Sequence, residues 1–400
     1  MDRVIAPAAP VAAGGVRPSP PRAASSSAPR PSPRRLALVL FAGVSLLAGL
    51  FGALVLLGVT GPSPAARLGG SHGLLMSFGF LGTLIAMERA VALGRPWGYV
   101  APLACGLAGL ALIAGAPALV VTSLLSLASV VYLAMYLVFL GQDRAIHTWV
   151  QAGGALGWVL AAALLQAGRP VGDAVPALAA LLILTVAGER LELARMALLT
   201  PVRRRLFLVA TLPFVAGVIL AAWVPDLGLR LGGLGLLLLA AWLARFDIAR
   251  RTVRIPGVTR YIALCLLAGY AWLAVGGAAW LAFGASAPAL ARDAMLHALF
   301  LGFVISMVFG HAPVILPSVL RVPLPYRPWF YGHLALLHAG LVVRVIVGDL
   351  FTVQAAWQVG GVLTVASMLL FVAASVASAA GGMRTLRAPR ARVRAATSGS

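Results

Sequence analysis

The chain contains no lysine, so arginine accounts for all 31 of its basic residues, against only 10 acidic residues. Charged residues make up 10% of the sequence, whereas a soluble domain averages about 25%. Hydrophobic residues make up 61%, and the mean hydropathy is +0.99. This balance excludes an ordinary soluble domain and predicts an integral membrane protein whose main partner is the lipid bilayer.

Cysteine is also scarce, since only Cys105 and Cys265 are present and both lie in apolar runs. No CxxC pair occurs, which excludes a zinc knuckle and a disulfide framework. The net charge of +21 could suit nucleic acid. The arginines lie in short segments between apolar runs, however, where they orient membrane helices. We therefore expect no nucleic-acid partner.

The chain divides into two tails and one apolar domain. Residues 1–35 are rich in proline, alanine, serine and arginine, and such a composition predicts a disordered cytoplasmic tail. The following apolar run, 36–59, exceeds the roughly 7–15 residues of a signal-peptide core, so it predicts a first span. We expect a transmembrane domain over 36–380 and a basic cytoplasmic tail over 381–400.

A helix needs about 20 apolar residues to cross a bilayer. On that rule the sequence predicts an all-α, polytopic membrane bundle of about twelve transmembrane helices. The predicted spans are 36–59, 70–93, 98–115, 117–140, 148–168, 174–194, 206–224, 228–245, 259–284, 290–312, 329–348 and 352–380.

The arginine distribution predicts the orientation of these spans. If both termini are cytoplasmic, all but five of the 31 arginines fall on the cytoplasmic side, as the positive-inside rule requires. The five on the other side are Arg67, Arg169, Arg230, Arg292 and Arg344. We expect a multi-pass protein of the cell inner (plasma) membrane.

Two histidines are predicted to lie at the same depth near the outer surface. His72 and His297 each lie about one turn into a span that runs from outside to inside. An imidazole in a span must find a partner, and two from different helices can hold the iron of a planar porphyrin from opposite faces. The small residues expected to leave room for the ring are Gly69, Gly70, Gly73, Gly79 and Gly302.

Three further residues complete the predicted haem site. Arg292 and Arg344 lie at the same outer level and could pair with haem propionates. Met76 is one helical turn beyond His72 and is either an alternative axial ligand or ordinary packing.

Three other histidines predict a second, inner site. His311 follows His297 by fourteen residues, which places it roughly 21 Å deeper on nearly the same helix face. His333 and His338 lie in the inner half of the eleventh span, roughly 140° apart around the helix axis, so at most one of them faces the same partner. These three are the candidate metal ligands.

Three alternatives stay open, one of which is an assembly or structural subunit with no site. The glycines can serve helix packing while each histidine satisfies a neighbouring carbonyl or hydroxyl group. The chain can also be a carrier for a small solute or a metal that uses His311, His333 and Glu189 around an inner gate. Pro313 and Pro317 are expected to break the tenth helix there, as helices in transporters are broken at binding sites.

At these residues the sequence resembles the NnrS family, twelve-span membrane proteins tied to nitric-oxide stress and distantly similar to the catalytic subunit of haem-copper oxidases. The family's second span carries a His-x-His-Glu-Met-x-Phe-Gly-Phe-like run. His72, Met76 and Phe78-Gly79-Phe80 match it, whereas leucines replace the second histidine and the acid. The run from His297 to Gly302 matches the family's His-Ala-Leu-x-x-Gly, and Gly188-Glu189-Arg190 is similar to its Gly-Gly-Arg-like run.

The resemblance implies a membrane-embedded b-type haem, with electron transfer or nitric-oxide binding as its use. It also implies copper, which the replaced second histidine puts in doubt. The sixth and seventh spans contain no histidine, and no His-x-His pair occurs in the sequence, which argues against a binuclear oxygen-reducing centre. Whether the chain is an enzyme is left open.

Overall fold

The computed structural model describes residues 32–60, 64–195 and 199–397. Within these ranges the chain forms helices and short connections, with no β-strand. The predicted N-terminal tail lies outside the described residues up to position 31, and its last residues already belong to the first helix, which begins at Pro33.

Twelve helices in the described ranges are long and apolar enough to cross a membrane, as the sequence predicts. The chain is therefore an all-α, multi-pass membrane bundle. The helices, called the first to the twelfth span, are Pro33–Leu56, Leu68–Leu93, Pro96–Ala114, Ala118–Gln142, Ile146–Gln166, Val171–Ala194, Pro201–Ala221, Pro225–Phe246, Val258–Ser286, Ala289–Leu320, Phe330–Leu350 and Gln354–Met383. The last of these continues as a helix to Thr397.

The boundary between the third and fourth spans depends on a three-residue connection. Gly115 adopts a positive φ of 72°, and its amide donates to the Leu112 carbonyl, which ends the third span. Pro117 precedes the fourth span, which begins at Ala118. A left-handed glycine followed by proline is an efficient way to stop a helix, so these residues explain why the two spans are separate.

The seventh and tenth spans are longer than the sequence predicts. Pro201 opens the seventh span five residues early, and the Thr200 hydroxyl caps it by accepting from the Arg203 amide at 3.3 Å. The expectation that Pro313 and Pro317 break the tenth helix is wrong, because the helix runs through both to its end at residue 320. Neighbouring helices commonly stabilise a membrane helix across its missing proline hydrogen bonds.

The tenth span is the central helix of the bundle. It packs against the first, second, sixth, ninth and eleventh spans, while most other spans contact mainly their neighbours in the sequence. The first and twelfth spans also touch, which closes the bundle. Because of these contacts, residues on the tenth span can meet partners from several distant parts of the sequence. The two ends of the spans are called outer and inner after the predicted topology.

Three spans contain a π-helical segment. In the second span it covers Leu75–Gly82, in the tenth Ala298–Ile305 and in the eleventh Val342–Leu350. The first begins three residues after His72, and the second begins immediately after His297. π-Helical turns are rare and concentrate at functional sites, because the extra residue rotates one part of the helix relative to the next.

Glycines allow the seventh and eighth spans to approach closely. A Cβ atom added at Gly217 would lie 2.3 Å from the Gly232 amide nitrogen and 2.6 Å from the Gly228 carbonyl oxygen. Small residues at such crossings let two backbones pack directly against each other, which is a main source of stability between membrane helices.

We predict that Gly217→Ala destabilises the bundle, because the two helices must move apart to admit the methyl group. Overpacking of this kind costs about 1–3 kcal/mol. Gly153→Ala is the matched control, since its Cβ would only touch the Leu184 side chain at an ordinary 3.6 Å. Thermal unfolding in detergent measures both variants, and equal midpoints for the two would contradict the prediction.

Candidate functional site

The outer cluster is centred on Asp293 in the first turns of the tenth span. Arg344 of the eleventh span donates to both of its carboxylate oxygens, from Nε at 2.9 Å and from Nη2 at 3.0 Å. The Trp357 indole of the twelfth span donates to Oδ2 at 3.2 Å, and the Arg344 guanidinium lies over that ring, 5.4 Å from its centroid. One carboxylate thus connects three spans at their outer ends.

Asp293 also orients His297, which lies one turn further along the same helix. The imidazole Nδ1 lies 2.9 Å from the Asp293 backbone oxygen and 3.2 Å from its carboxylate Oδ1. Both are acceptors, so Nδ1 carries the proton and Nε2 presents a lone pair. A carboxylate or carbonyl on one ring nitrogen is the usual support for a histidine that ligates metal through the other.

His72 is arranged in the same way on the second span. Its Nδ1 donates to the Gly49 carbonyl of the first span at 2.7 Å, which again leaves Nε2 as the acceptor atom. His72 is within electrostatic range of His297, Asp293 and Arg344. The two histidines that the sequence pairs therefore lie at the same end of the bundle, each with its Nδ1 anchored.

The other residues predicted for this cluster have different neighbours. Arg344 is engaged by Asp293, and its side chain is only 7% exposed, so it is not free to pair with a propionate. Arg292 donates one hydrogen bond, from Nη2 to the Ala287 carbonyl at 3.2 Å. Met76 packs against the backbone of Gly49, where an added Cβ would lie 2.8 Å from its sulfur. This contact favours packing as the role of Met76.

The glycines expected to leave room for a ring divide into two groups. An added Cβ would meet nothing within 4 Å at Gly70 or Gly73, on either side of His72 in the sequence. Gly69 packs against Leu56 and Val55, Gly79 against Ser45, and Gly302 against Trp272. Open space therefore exists beside His72 only at the first two positions, and the expectation for the other three is wrong because those glycines serve helix contacts.

Asp349 is a buried carboxyl group in the same region. It lies in the π-helical segment of the eleventh span and is 4% exposed. Neither carboxyl oxygen has a hydrogen-bond partner within the described residues, and the group interacts electrostatically with Asp293 and Arg344. A buried carboxyl group without partners is costly, so its position beside the cluster adds to the polar character of this end of the bundle.

The inner cluster joins the second and sixth spans. Arg89 donates from a single atom, Nη2, to Glu88 Oε1 at 2.9 Å and to Glu189 Oε1 in a shorter contact. The Arg89 side chain is 14% exposed, and its Nε has no partner in the described part of the chain. Two carboxylates therefore share one guanidinium within the membrane-spanning helices.

His311 is held on both ring nitrogens. Its Nδ1 donates to the Met307 carbonyl at 2.6 Å, and its Nε2 lies 2.9 Å from Arg190 Nη2, which can only donate. The contact joins residues 121 positions apart and connects the sixth and tenth spans. In this arrangement His311 offers no lone pair to a metal.

The remaining inner histidines have separate partners. His333 is fully buried, with Nε2 2.9 Å from the Tyr261 hydroxyl group. His338 accepts from the Trp272 indole at 3.0 Å through Nδ1. The described residues contain no group of three or more His, Cys, Asp or Glu side chains that could hold a metal ion. A metal held by His311, His333 and His338 stays a prediction.

Twelve membrane-crossing helices, with a charged cluster at each end of a central helix, define this chain as a polytopic membrane protein. The chain belongs to the family described as a domain of unknown function (DUF8744), whose model matches residues 35–380. No curated protein and no solved structure matches the chain.

Sequence reasoning missed Asp293 and Trp357 as members of the outer cluster. Asp293 lies four residues before His297, on the same helix face, which is a spacing that could have revealed the pair. Trp357 carries no such signal, because indoles are common near membrane surfaces. The contact between Arg190 and His311 joins residues 121 positions apart, and spacing within one helix does not predict it.

We predict that Arg344→Met destabilises the protein strongly, because it leaves the Asp293 carboxylate without its cation. Breaking one partner of a buried pair costs about 3–5 kcal/mol. The double variant Arg344→Met with Asp293→Leu should regain part of that loss, since the stranded charge is then removed. Unfolding in detergent, followed by tryptophan fluorescence, measures these differences.

Arg169→Met is the matched control for that experiment. Arg169 pairs with Asp173 at 2.7 Å, but the two side chains are 44% and 33% exposed. Exposed pairs contribute less than about 1 kcal/mol. If Arg344→Met destabilised the protein no more than Arg169→Met does, the outer ion pair would not have the structural role assigned to it.

Proposed function

We propose that this chain is a haem-binding protein of the plasma membrane, in which His72 and His297 supply the two axial ligands of a b-type haem. The observation that carries the proposal is that the two imidazoles are hydrogen-bonded in the same way. Each donates its Nδ1 proton to a backbone carbonyl oxygen, and no partner is recorded for either Nε2 within the described residues. These two nitrogens, at the same end of the bundle, would be the donors that hold a haem iron.

The surrounding residues fit the group. Gly70 and Gly73 are exposed, and an added Cβ at either would meet nothing within 4 Å, so neither position would obstruct a group bound at the outer surface beside His72. Arg292 uses only one recorded hydrogen bond, on the Ala287 carbonyl, and keeps further donors for a propionate. A π-helical segment begins three residues after His72 and immediately after His297, and such segments are common at functional sites.

The protein residues define what such a site would do. A haem supplies a one-electron redox centre when bound. Two protein imidazoles would fill both axial positions, which favours electron transfer over the capture of a gas. Asp293 holds His297 in one tautomer, and the hydrogen bond from Arg344 to that carboxylate keeps the pair in place. The resemblance to the NnrS family supports a nitric-oxide or respiratory-stress context, and the proposal assigns no copper.

We predict that the protein purified from haem-replete cells shows a Soret band, and that His72→Ala and His297→Ala each abolish or shift it. Loss of one imidazole leaves the iron with an open axial position, which changes its spin state. His147→Ala is the control, because His147 lies near Asp143 and Glu192 at the inner end of the fifth span.

Addition of free imidazole distinguishes a ligand from a structural residue. If His72→Ala removes only a ligand, imidazole should restore the spectrum of the parent protein. A colourless parent protein, or unchanged spectra in both alanine variants, would refute the proposal.

A further inference from the structure

The inner half of the bundle forms a partly open cavity that the proposed haem site does not use. Its volume is about 330 Å³, which is within the range of about 300–1,000 Å³ of small-molecule sites. It lies between the first, second, sixth, tenth and twelfth spans. Its walls are almost entirely apolar, and Phe80, Met307 and Phe371 are among them.

Three ionisable groups face the cavity, together with the hydroxyl groups of Thr185 and Ser375. Glu88, Glu189 and His311 line it, from three different spans. The two carboxylates keep 27% and 18% of their side chains accessible. Each uses one oxygen, Oε1, on Arg89, and no partner is recorded for either Oε2 in the described part of the chain. Carboxylate groups with an oxygen that can still accept a hydrogen bond therefore line the cavity.

The two carboxylates and two guanidiniums near the cavity differ in position. Glu88 and Glu189 share one guanidinium, since both accept a hydrogen bond from the same Arg89 nitrogen. The second guanidinium nearby, Arg190, is directed at His311, whose own ring lacks a free donor. Arg89 and Arg190 do not line the cavity. A molecule inside it therefore faces two carboxylates more closely than it faces any arginine.

We propose that this cavity binds a monovalent organic cation with an apolar body. The apolar walls would hold the body, and the carboxylates Glu88 and Glu189 would face the positive charge. The rings of Phe80 and Phe371 also line the cavity, and aromatic faces attract cations. An anionic phospholipid head fits less well, because neither Arg89 nor Arg190 lines the cavity.

Tetraphenylphosphonium is the probe that tests this proposal. Tetraphenylborate is its matched control, because it has the same shape and the opposite charge. Binding to the full-length protein is measured by equilibrium dialysis in detergent, with empty micelles subtracted. We expect saturable binding of the phosphonium and none of the borate. Equal saturable binding of both would overturn the proposal, because charge would then not select the ligand.

Two variants test the location. Glu189→Gln keeps the shape of the side chain and removes its charge, and it should weaken phosphonium binding roughly tenfold or more, equivalent to about 1.4 kcal/mol. Gly43→Leu fills the cavity without touching the charges, since Gly43 lines it and an added Cβ there would meet nothing within 4 Å. It should weaken binding at least as much.

Gly141→Leu is the control, because its Cβ would also meet nothing within 4 Å but the residue lies on the fourth span, away from the cavity. A parent-like affinity in either Glu189→Gln or Gly43→Leu would contradict the proposal. Neither variant touches His72 or His297, so the result is independent of whether haem is bound.

Discussion

The carboxylate of Asp293 is the contact on which the outer half of the bundle depends. It receives two hydrogen bonds from Arg344 and one from Trp357, and it lies beside the Nδ1 of His297. A charge placed within membrane helices is tolerated only when it is paired. Here the pairing joins the tenth, eleventh and twelfth spans and fixes the proton on one histidine nitrogen. Structural stability and the chemistry of the site therefore depend on the same group.

The central position of the tenth span explains why both polar clusters lie along it. A helix in contact with the first, second, sixth, ninth, eleventh and twelfth spans offers partners at several depths. His297 meets the outer cluster, and His311 meets Arg190 about four turns further in. The two clusters differ in kind. The outer one presents imidazole nitrogens that can ligate, whereas the inner one presents carboxylates beside an apolar cavity.

Hydrophobic run lengths and arginine positions were sufficient to predict the twelve spans and most of their limits. The errors have local causes. Proline can begin a helix as well as end one, and Pro201 begins the seventh span. Pro313 and Pro317 lie inside the tenth span and are accommodated by its packing. For the site, equal depth paired His72 with His297. Depth alone could not show which way each ring nitrogen points, because contacts with other helices decide it. For His72 the contact is the hydrogen bond from Nδ1 to the Gly49 carbonyl of the first span.

The π-helical turns and the buried Asp349 lay beyond sequence reasoning for a related reason. A π turn reflects how one helix packs on several others, and no residue pattern in a single span encodes it. The partners of His311, His333 and His338 likewise come from distant spans. Side chains with a shared helix face were thus predictable, whereas contacts between distant spans needed the assembled bundle.

Electron paramagnetic resonance of the oxidised, haem-loaded protein tests the central claim most directly. Ligation by two imidazole nitrogens predicts a low-spin ferric signal with bis-histidine character. A high-spin signal, or a low-spin signal of histidine–methionine type, would contradict the account, because His72 and His297 would then not share one iron.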